Sequence, residues 1–335
     1  MSTGTTRILA ADIGGTNSRF ALFESEAGHE LRMAESIWLQ TREATGLKHL
    51  LANLDQSDFP ASPLDVDMTV IALAGPVQQG KISDPPNIPW AVDLTDPAQD
   101  PGTDRFLLTN DFVAQAYACR TPAVAGAREL LSGQEDPEGT VAVIGAGTGN
   151  GKSALIPDTR GGFLAVPSEG GHSDFPFLTE EEFEYYRFLQ KETGYRQITP
   201  DIVVTGPGLS HVHKYLTGDT LHPREVSATF DADPDSRTLR WFARFYGRCC
   251  RNFAIEVLAS GGVFVTGGVA AKSPALVTHP AFAEEFRLYE PDPELMARIP
   301  VYLNENEDSG LWGAAMQGMQ SLGLLTPAMS KETSP

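Results

Sequence analysis

Cysteine is scarce and badly spaced for cross-linking. Only Cys119, Cys249 and Cys250 occur in 335 residues, and an odd number with two adjacent members implies no disulfide framework. No Cys-x-x-Cys pair or Cys/His cluster occurs either, so a structural zinc site is not expected. Apolar runs never reach 18 residues, which removes a membrane-spanning helix. The N-terminal stretch MSTGTTRILAADIGG has no long apolar segment before its polar and glycine residues and does not read as a signal peptide. Positive charge is also short: 25 Lys+Arg stand against 44 Asp+Glu, a net charge of −19. Such a surface repels phosphate backbones and anionic membranes, so neither nucleic acid nor a membrane is an expected partner. The chain is therefore expected to be soluble and cytoplasmic.

What is present is core material and glycine. Hydrophobic residues make up 41% and charged residues 21%, a balance that excludes disorder. The length suits two domains better than one. Glycine numbers 32, much of it paired or alternating, as backbones pressed close to a ligand require.

The pattern alternates strands with helices and argues for α/β layers. Strands are expected over Arg7–Asp12 and Ser18–Phe23, joined by the turn Gly14-Gly15-Thr16-Asn17. Leu47, Leu50, Leu51 and Leu54 predict a helix over residues 43–54. The apolar run Met68–Ala74 suits a buried strand. After a Pro/Gly-rich loop, Arg105–Leu108 reads as a strand, and FVAQAYACR, after Asn110-Asp111, reads as a helix. Thr140–Ile144 and Lys152–Ile156 form a second strand pair around a glycine-rich tip, a faint repeat of the first α/β unit. Thr179-Glu-Glu-Glu182 resembles a capping box that opens a helix through residue 193. The longest helix is expected over Ser236–Ser260; its Trp241, Phe242, Phe245 and Tyr246 read as core. The strand VFVTG follows, then Gly267-Gly268, and a last helix runs from Asp308-Ser-Gly310 to about Leu322. Cys249 and Cys250 read as core, His211 and His213 as surface.

Several places carry candidate chemistry. In Asp12-Ile-Gly-Gly-Thr16, a strand ends in a carboxylate and turns through two glycines, so amides and the Thr16 hydroxyl can face an anion. Asp12 could hold magnesium through water; an ordinary hairpin turn explains the same residues. The segment Gly145 to Ser153 imitates two motifs. Ala146-x4-Gly151-Lys152-Ser153 nearly matches a Walker A loop, and Gly145 with Gly147 nearly matches a dinucleotide fingerprint. Both need a following helix, whereas ALIPDTRGG reads as a strand broken by Pro157. A glycine-rich hairpin able to cradle phosphate is what remains. Asn110-Asp111 is either a helix cap or a general base, Asp111, beside a polar substrate ligand, Asn110. Glu169-Gly-Gly-His172 is either a polar turn, with Asp174 solvated, or a loop that binds hydroxyl groups. Gly206-Pro-Gly208 reads as a break between elements.

The order of these pieces is more specific than any one of them. DIGGTNSRFAL, LAGP, TNDF, GAGTG, SEGGHSDF, TGPGL, GGVFVTGG and SGLWGAA succeed one another from about residue 7 to residue 322. That series resembles the bacterial glucokinase family, sugar kinases of the actin-like, ribonuclease-H-like ATPase fold. The resemblance implies an α/β protein of two actin-like domains around a central cleft, where ATP and sugar meet. The smaller domain would comprise residues 1–109 with a returning helix over 306–325, the larger residues 110–305, and residues 326–335 a frayed tail. Ala11, Asp12, Ile13, Gly14, Gly15 and Thr16 would form a first phosphate loop, and Gly147, Thr148 and Gly149 a second. Gly267 and Gly268 would lie on the adenosine side. Asp111 matches the catalytic base; Asn110, Asp111, Glu169, His172 and Asp201 match the sugar-binding set. The implied activity is phosphorylation of D-glucose at its 6-hydroxyl with ATP and Mg2+, the metal held by Asp12 through water, in a homodimer.

Two positions depart from the family. Asp201 stands where Glu is usual, and Pro86 precedes Asn87 where Thr is usual. Both bear on sugar preference, leaving open a kinase for mannose, fructose or an amino sugar. The cysteine-rich zinc motif of the related repressor/kinase group is absent. A non-catalytic sugar sensor is the less expected alternative: such proteins usually need a DNA-binding module, none is expected ahead of a first strand that starts near residue 7, and the net charge of −19 repels DNA. A general actin-like ATPase would turn over ATP without sugar.

Overall fold

A computed structural model describes residues 4–26 and 30–325; the expected tail at 326–335 lies outside the described residues. The strands are β1 (Thr5–Ile13), β2 (Asn17–Glu26), β3 (Arg32–Gln40), β4 (Met68–Leu73), β5 (Val77–Gln78), β6 (Ile82–Ser83) and β7 (Val92–Asp93). They continue as β8 (Phe106–Asn110), β9 (Arg128–Leu131), β10 (Val141–Ala146), β11 (Asn150–Pro157), β12 (Phe163–Ser168), β13 (Val263–Thr266) and β14 (Val301–Leu303). The helices are α1 (Leu47–Asp55), α2 (Asp111–Ala118), α3 (Glu180–Thr193), α4 (Pro200–Val203), α5 (Gly206–Thr217) and α6 (Pro223–Ala228). After them come α7 (Arg237–Glu256), α8 (Gly268–Lys272), α9 (Ala275–Thr278), α10 (Pro280–Arg287), α11 (Pro293–Arg298) and α12 (Ser309–Ser321).

Two compact units divide the described chain: 4–126 with 155–167 and 306–325, and 127–154 with 168–305. One sheet runs β3-β2-β1-β4-β8, with β1–β3 antiparallel and β1, β4 and β8 parallel. A second runs β12-β11-β10-β13-β14-β9. Both sheets place the third, second, first, fourth and fifth strands of a set in that spatial order, and β9 is an added antiparallel edge. The repeat noticed in sequence is thus a repeat of topology.

In the first unit, strand alternation divides β1 between two cores. Leu9, Ala11 and Ile13 join Phe20, Leu22, Ile71 and the α1 leucines Leu47, Leu50, Leu51 and Leu54. Ile8 and Ala10 face the other way, onto Val70, Ala114, Leu311, Ala314 and Met319 of β4, α2 and α12. Fully burying one such large side chain contributes about 1.5–3 kcal/mol. Helix α12 comes very close to α2: a Cβ added at Gly313 would lie 1.7 Å from the Ala114 carbonyl oxygen.

The second unit has one core under β10 and β13, filled by Phe175, Tyr185, Trp241, Phe242, Phe245, Tyr246, Cys249 and Cys250. Helix α7 is the longest, with 20 residues, and Ser236 caps it by accepting from Leu239 N. Its apolar face hides a charged cluster. Arg248, 2% exposed, grips both oxygens of Glu182 and one of Glu285; Arg251 also meets Glu285 at 3.2 Å.

Some boundaries differ from expectation. The helix expected over 43–54 is split into a 3-10 turn, Thr41–Glu43, and α1, because Gly46 is extended at φ 170°. Gly206-Pro-Gly208 stands, as expected, at the break between α4 and α5, and it forms the first turn of α5. Thr205 caps it, and at Gly208 a Cβ would strike Val203 O at 2.3 Å. Thr179 caps α3, but Glu182 returns to Leu178 N, not to the cap residue. His211 and His213 are half-buried in α5, not surface residues, and burial pushes the His211 pKa down.

Candidate active site

The first unit gathers Asp12, the Gly14–Thr16 turn and Asn110-Asp111 at neighbouring strand ends. Strands β1 and β8 both flank β4, and β4 aligns Ala72 with Asp12 on one side and Leu73 with Asn110 on the other. Ala11 and Ile13 turn their side chains into the core, so only their backbones can meet a ligand. Asp12 is half-buried. Burial pushes its pKa above the usual carboxylate value, and Arg19 opposes that shift. Arg19 lies opposite Asp12 in the hairpin register, with Trp38 opposite Arg19 on β3. Its guanidinium sits 3.8 Å from the Trp38 ring centroid and pairs with Asp308 at the start of α12. The first turn of α12 closes on the same carboxylate: a Cβ at Gly310 would lie 3.2 Å from Asp12 Oδ2.

The turn itself is held by shape. Gly14 N donates to Asn17 O at 3.0 Å, and a Cβ at Gly15 would meet Asn87 O at 2.2 Å. Asn87, flagged by the preceding Pro86, is therefore the wall against which this loop is folded. Thr16 stays exposed.

Both readings of Asn110 meet in its geometry. Its Oδ1 accepts from Phe112 N and Val113 N at 3.0 and 3.1 Å, so it caps α2. Its Nδ2 donates to Gly75 O and to Asp111 Oδ1, both at 3.0 Å. Asp111 Oδ1 also accepts from Phe112 N at 2.9 Å. One oxygen of the half-buried Asp111 is thus fixed by two donors, which orients the carboxylate.

The second unit gathers the remaining candidates. Gly147, Thr148 and Gly149 are exposed at the tip between β10 and β11. No atom would come within 4 Å of a Cβ at Gly147, so this tip has open space beside its backbone, as a phosphate cradle needs. Gly267, at φ 89°, lies against Ala146, whose carbonyl oxygen a Cβ would meet at 2.7 Å, and Gly268 opens α8. Glu169 and His172 are exposed. His172 stands between two carboxylates: Nδ1 is 3.0 Å from Glu169 Oε2, and Nε2 is 3.2 Å from Asp201 Oδ2. Asp201 Oδ1 accepts from Asn150 N at 2.7 Å.

Lys152, first read within a near-Walker pattern, lies in β11, not at a helix start. It is buried and donates to Gly170 O at 3.3 Å, behind the Glu169–His172 turn. Nothing in the local pattern signals that role beyond a lysine in an apolar strand. Arg19 could have been found: once Gly14–Asn17 is a hairpin turn, register alone sets residue 19 opposite residue 12. Among the described residues, no group of three or more His, Cys, Asp or Glu side chains could hold a metal ion. A lone half-buried carboxylate such as Asp12 fits magnesium that keeps its water shell. No described helix is long and apolar enough to cross a membrane.

Solved structures place this architecture. A glucokinase from an Antarctic psychrotroph superposes with a TM-score of 0.78 at 25% identity, covering 94% of this chain and 99% of that one. A ROK family glucokinase from Streptomyces griseus, crystallised with glucose and AMPPNP, shares the fold with a TM-score of 0.57 at 19% identity, covering 95% and 100%. The fold is that of the sugar kinases with actin-like ATPase architecture. In sequence, the glucokinase of Sinorhizobium fredii is 30% identical over 319 residues, 92% of this chain and 91% of that one. The glucokinase family model matches residues 9–321. The chain belongs to the glucokinase family and is a sugar kinase.

Proposed function

We propose that this kinase transfers the γ-phosphoryl group of ATP to the 6-hydroxyl of D-glucose. The observation that carries the reading is Asp111: a carboxylate at the first position of α2, with one oxygen fixed by Asn110 Nδ2 and Phe112 N. Asp111 accepts the proton of the 6-hydroxyl as that oxygen attacks phosphorus in line. Glu169 and His172 bind other sugar hydroxyls. Their turn offers both donors and acceptors, so it holds a polyol in one orientation and leaves one hydroxyl to react. The amides of Gly14–Thr16 and Gly147–Gly149, with the Thr16 and Thr148 hydroxyls, hold the phosphates of ATP, and Gly267 and Gly268 accommodate its adenosine side. Asp12 is the residue that would hold Mg2+ through water, and the bound ion would supply charge neutralisation for the phosphates of ATP. Excluding water from the reacting groups keeps ATP from being hydrolysed in place of transfer.

The test is Asp111→Asn. General-base catalysis is worth about 10²–10⁴-fold, so kcat should fall by that factor while calorimetric glucose binding persists. Near-parental turnover would remove Asp111 from the mechanism. A second reading, a kinase preferring mannose, fructose or an amino sugar, is favoured by Asp201, whose carboxylate is one methylene shorter than the family's usual Glu. Under that reading, Asp201→Glu changes the ratio of KM values among hexoses, and an unchanged ratio rejects it.

A further inference from the structure

We infer that Lys152 is a positioning residue for the turn Glu169–His172, buried there at a cost in stability; the inference rests on the reading of that turn as the sugar site. Lys152 lies within β11 and is 4% exposed. Taking an ammonium group out of water is expensive unless it is paired. Its partners here are a carbonyl and a ring: Nζ donates to Gly170 O at 3.3 Å and lies 5.5 Å from the Phe253 ring centroid. Asp174 and Glu256 line a cavity of about 250 Å³ beside Lys152, together with Asn252 and Cys249 of α7. Among the described residues, neither carboxylate forms an ion pair with the lysine.

The carbonyl that Lys152 does reach explains its placement. Gly170 lies between the two candidate sugar ligands, at the start of the 3-10 turn Gly170–His172. Gly170 N donates to Ser168 Oγ at 3.1 Å, and Ser173 Oγ donates to Gly170 O at 2.8 Å. Lys152 holds the same oxygen from the side of the strand. The turn is also pressed against β11: a Cβ at Gly170 would lie 3.3 Å from Lys152 Cδ, and one at Gly171 2.0 Å from Asn150 O. The Asn150 backbone and the Lys152 side chain thus set where the turn sits. Glu169 and His172, both exposed, take their directions from that support.

Stability and function therefore pull in opposite directions at Lys152. Methionine would keep the buried stem and remove the charge. Gly170 O would keep its bond from Ser173 Oγ, so no carbonyl is left without a donor. With no carboxylate paired to the lysine, its removal strands no opposite charge, and the folded state gains by losing a buried cation. What is lost is the strand-side anchor of the turn.

The experiment is calorimetric titration of the full chain with glucose and, separately, with Mg-AMPPNP, alongside the thermal midpoint read by circular dichroism. Lys152→Met should weaken glucose binding about tenfold, the scale of one hydrogen bond from a charged group. AMPPNP affinity should stay within about twofold, as for an independent site, and the midpoint should equal or exceed that of the parent. Lys152→Arg keeps the charge, the adjoining cavity gives its larger head room, and it should recover most of the glucose affinity. If the methionine variant does not fold, Ser173→Ala removes the other side-chain donor to Gly170 O from an exposed residue and should weaken glucose binding in the same direction. Unchanged glucose affinity in the variant that is read overturns the inference. A lowered midpoint with both ligands weakened in proportion overturns it too, because Lys152 would then be purely structural. So does an arginine variant that binds glucose no better than the methionine variant. A parent that takes AMPPNP but no glucose removes the reading of the turn as the sugar site, and this inference with it.

Discussion

Arg248→Met is the substitution whose cost follows most directly from the core of the second unit. Arg248 donates to Glu182 Oε2 at 2.7 Å, Glu182 Oε1 at 3.0 Å, Glu285 Oε1 at 2.8 Å and Pro176 O at 2.8 Å. Methionine keeps much of the buried stem and removes all four bonds. Glu182, 0% exposed, would retain Leu178 N–H and Arg244, whose Nη2 is 2.9 Å away. Glu285 would retain Arg251. Removing one partner of a buried pair costs about 3–5 kcal/mol, and the surviving contacts place this variant near the lower figure. That is a large share of the about 5–15 kcal/mol that holds a domain folded. With a urea slope of about 1–3 kcal/mol/M, the unfolding midpoint should fall by at least about 1 M. Circular dichroism reads the second unit's helices during the titration. Replacing both partners, as Arg248→Met with Glu182→Leu, should recover part of the loss, because the fully buried carboxylate is removed with its main partner, and only the partly exposed Arg244 loses its contact. A single variant whose midpoint stays within about 0.3 M of the parent, about 1 kcal/mol or less at such slopes, would refute the reasoning.

Three further outcomes are expected. Burial raises the Glu182 pKa, but bonds from Arg248 and Leu178 N outweigh it and hold the folded value below the ordinary one. Its contribution is therefore present above about pH 4.3, the unfolded value, and is lost as pH falls through the folded pKa; Glu182→Gln should lower stability at pH 7 and flatten its acid dependence, as urea midpoints across pH 3–7 would read. Gly313→Val should lower the thermal midpoint sharply, since its Cβ would lie 1.7 Å from Ala114 O and overpacking typically costs about 1–3 kcal/mol or more. Gly15→Ala should raise the KM for ATP more than that for sugar, because its methyl would displace Asn87 by way of a 2.2 Å contact; equal changes in both would show general loosening, not a nucleotide-loop defect.

Much of the frame was legible in the sequence. The first hairpin, the α1 leucines, the β4 run and the amphipathic α7 all carry a strong apolar period, and burial enforces that period. What escaped detection lacks such a signal. Strand β3, RMAESIWLQ, lies at the sheet edge and contains no fully buried residue, so its partner β2, not its own pattern, makes it a strand. TGPGL reads as a break and does separate α4 from α5; less visible was that the same residues form the first turn of α5, where proline suits N1 and Gly208 is forced by contact with Val203. In the site, carboxylates at strand ends and glycine tips could be named one by one. Their partners could not: the Asp201 bridge to Asn150 and His172, the Lys152 bond to Gly170 and the Arg248 cluster join residues distant in sequence. Only packing brings them together.

The most direct test of the central claim is ADP release from Mg-ATP with no sugar, glucose, mannose, fructose, glucosamine and N-acetylglucosamine in turn. The account predicts release that depends on sugar and is far fastest with glucose, with glucose 6-phosphate as the product. ADP release that is equal with and without every sugar would contradict it.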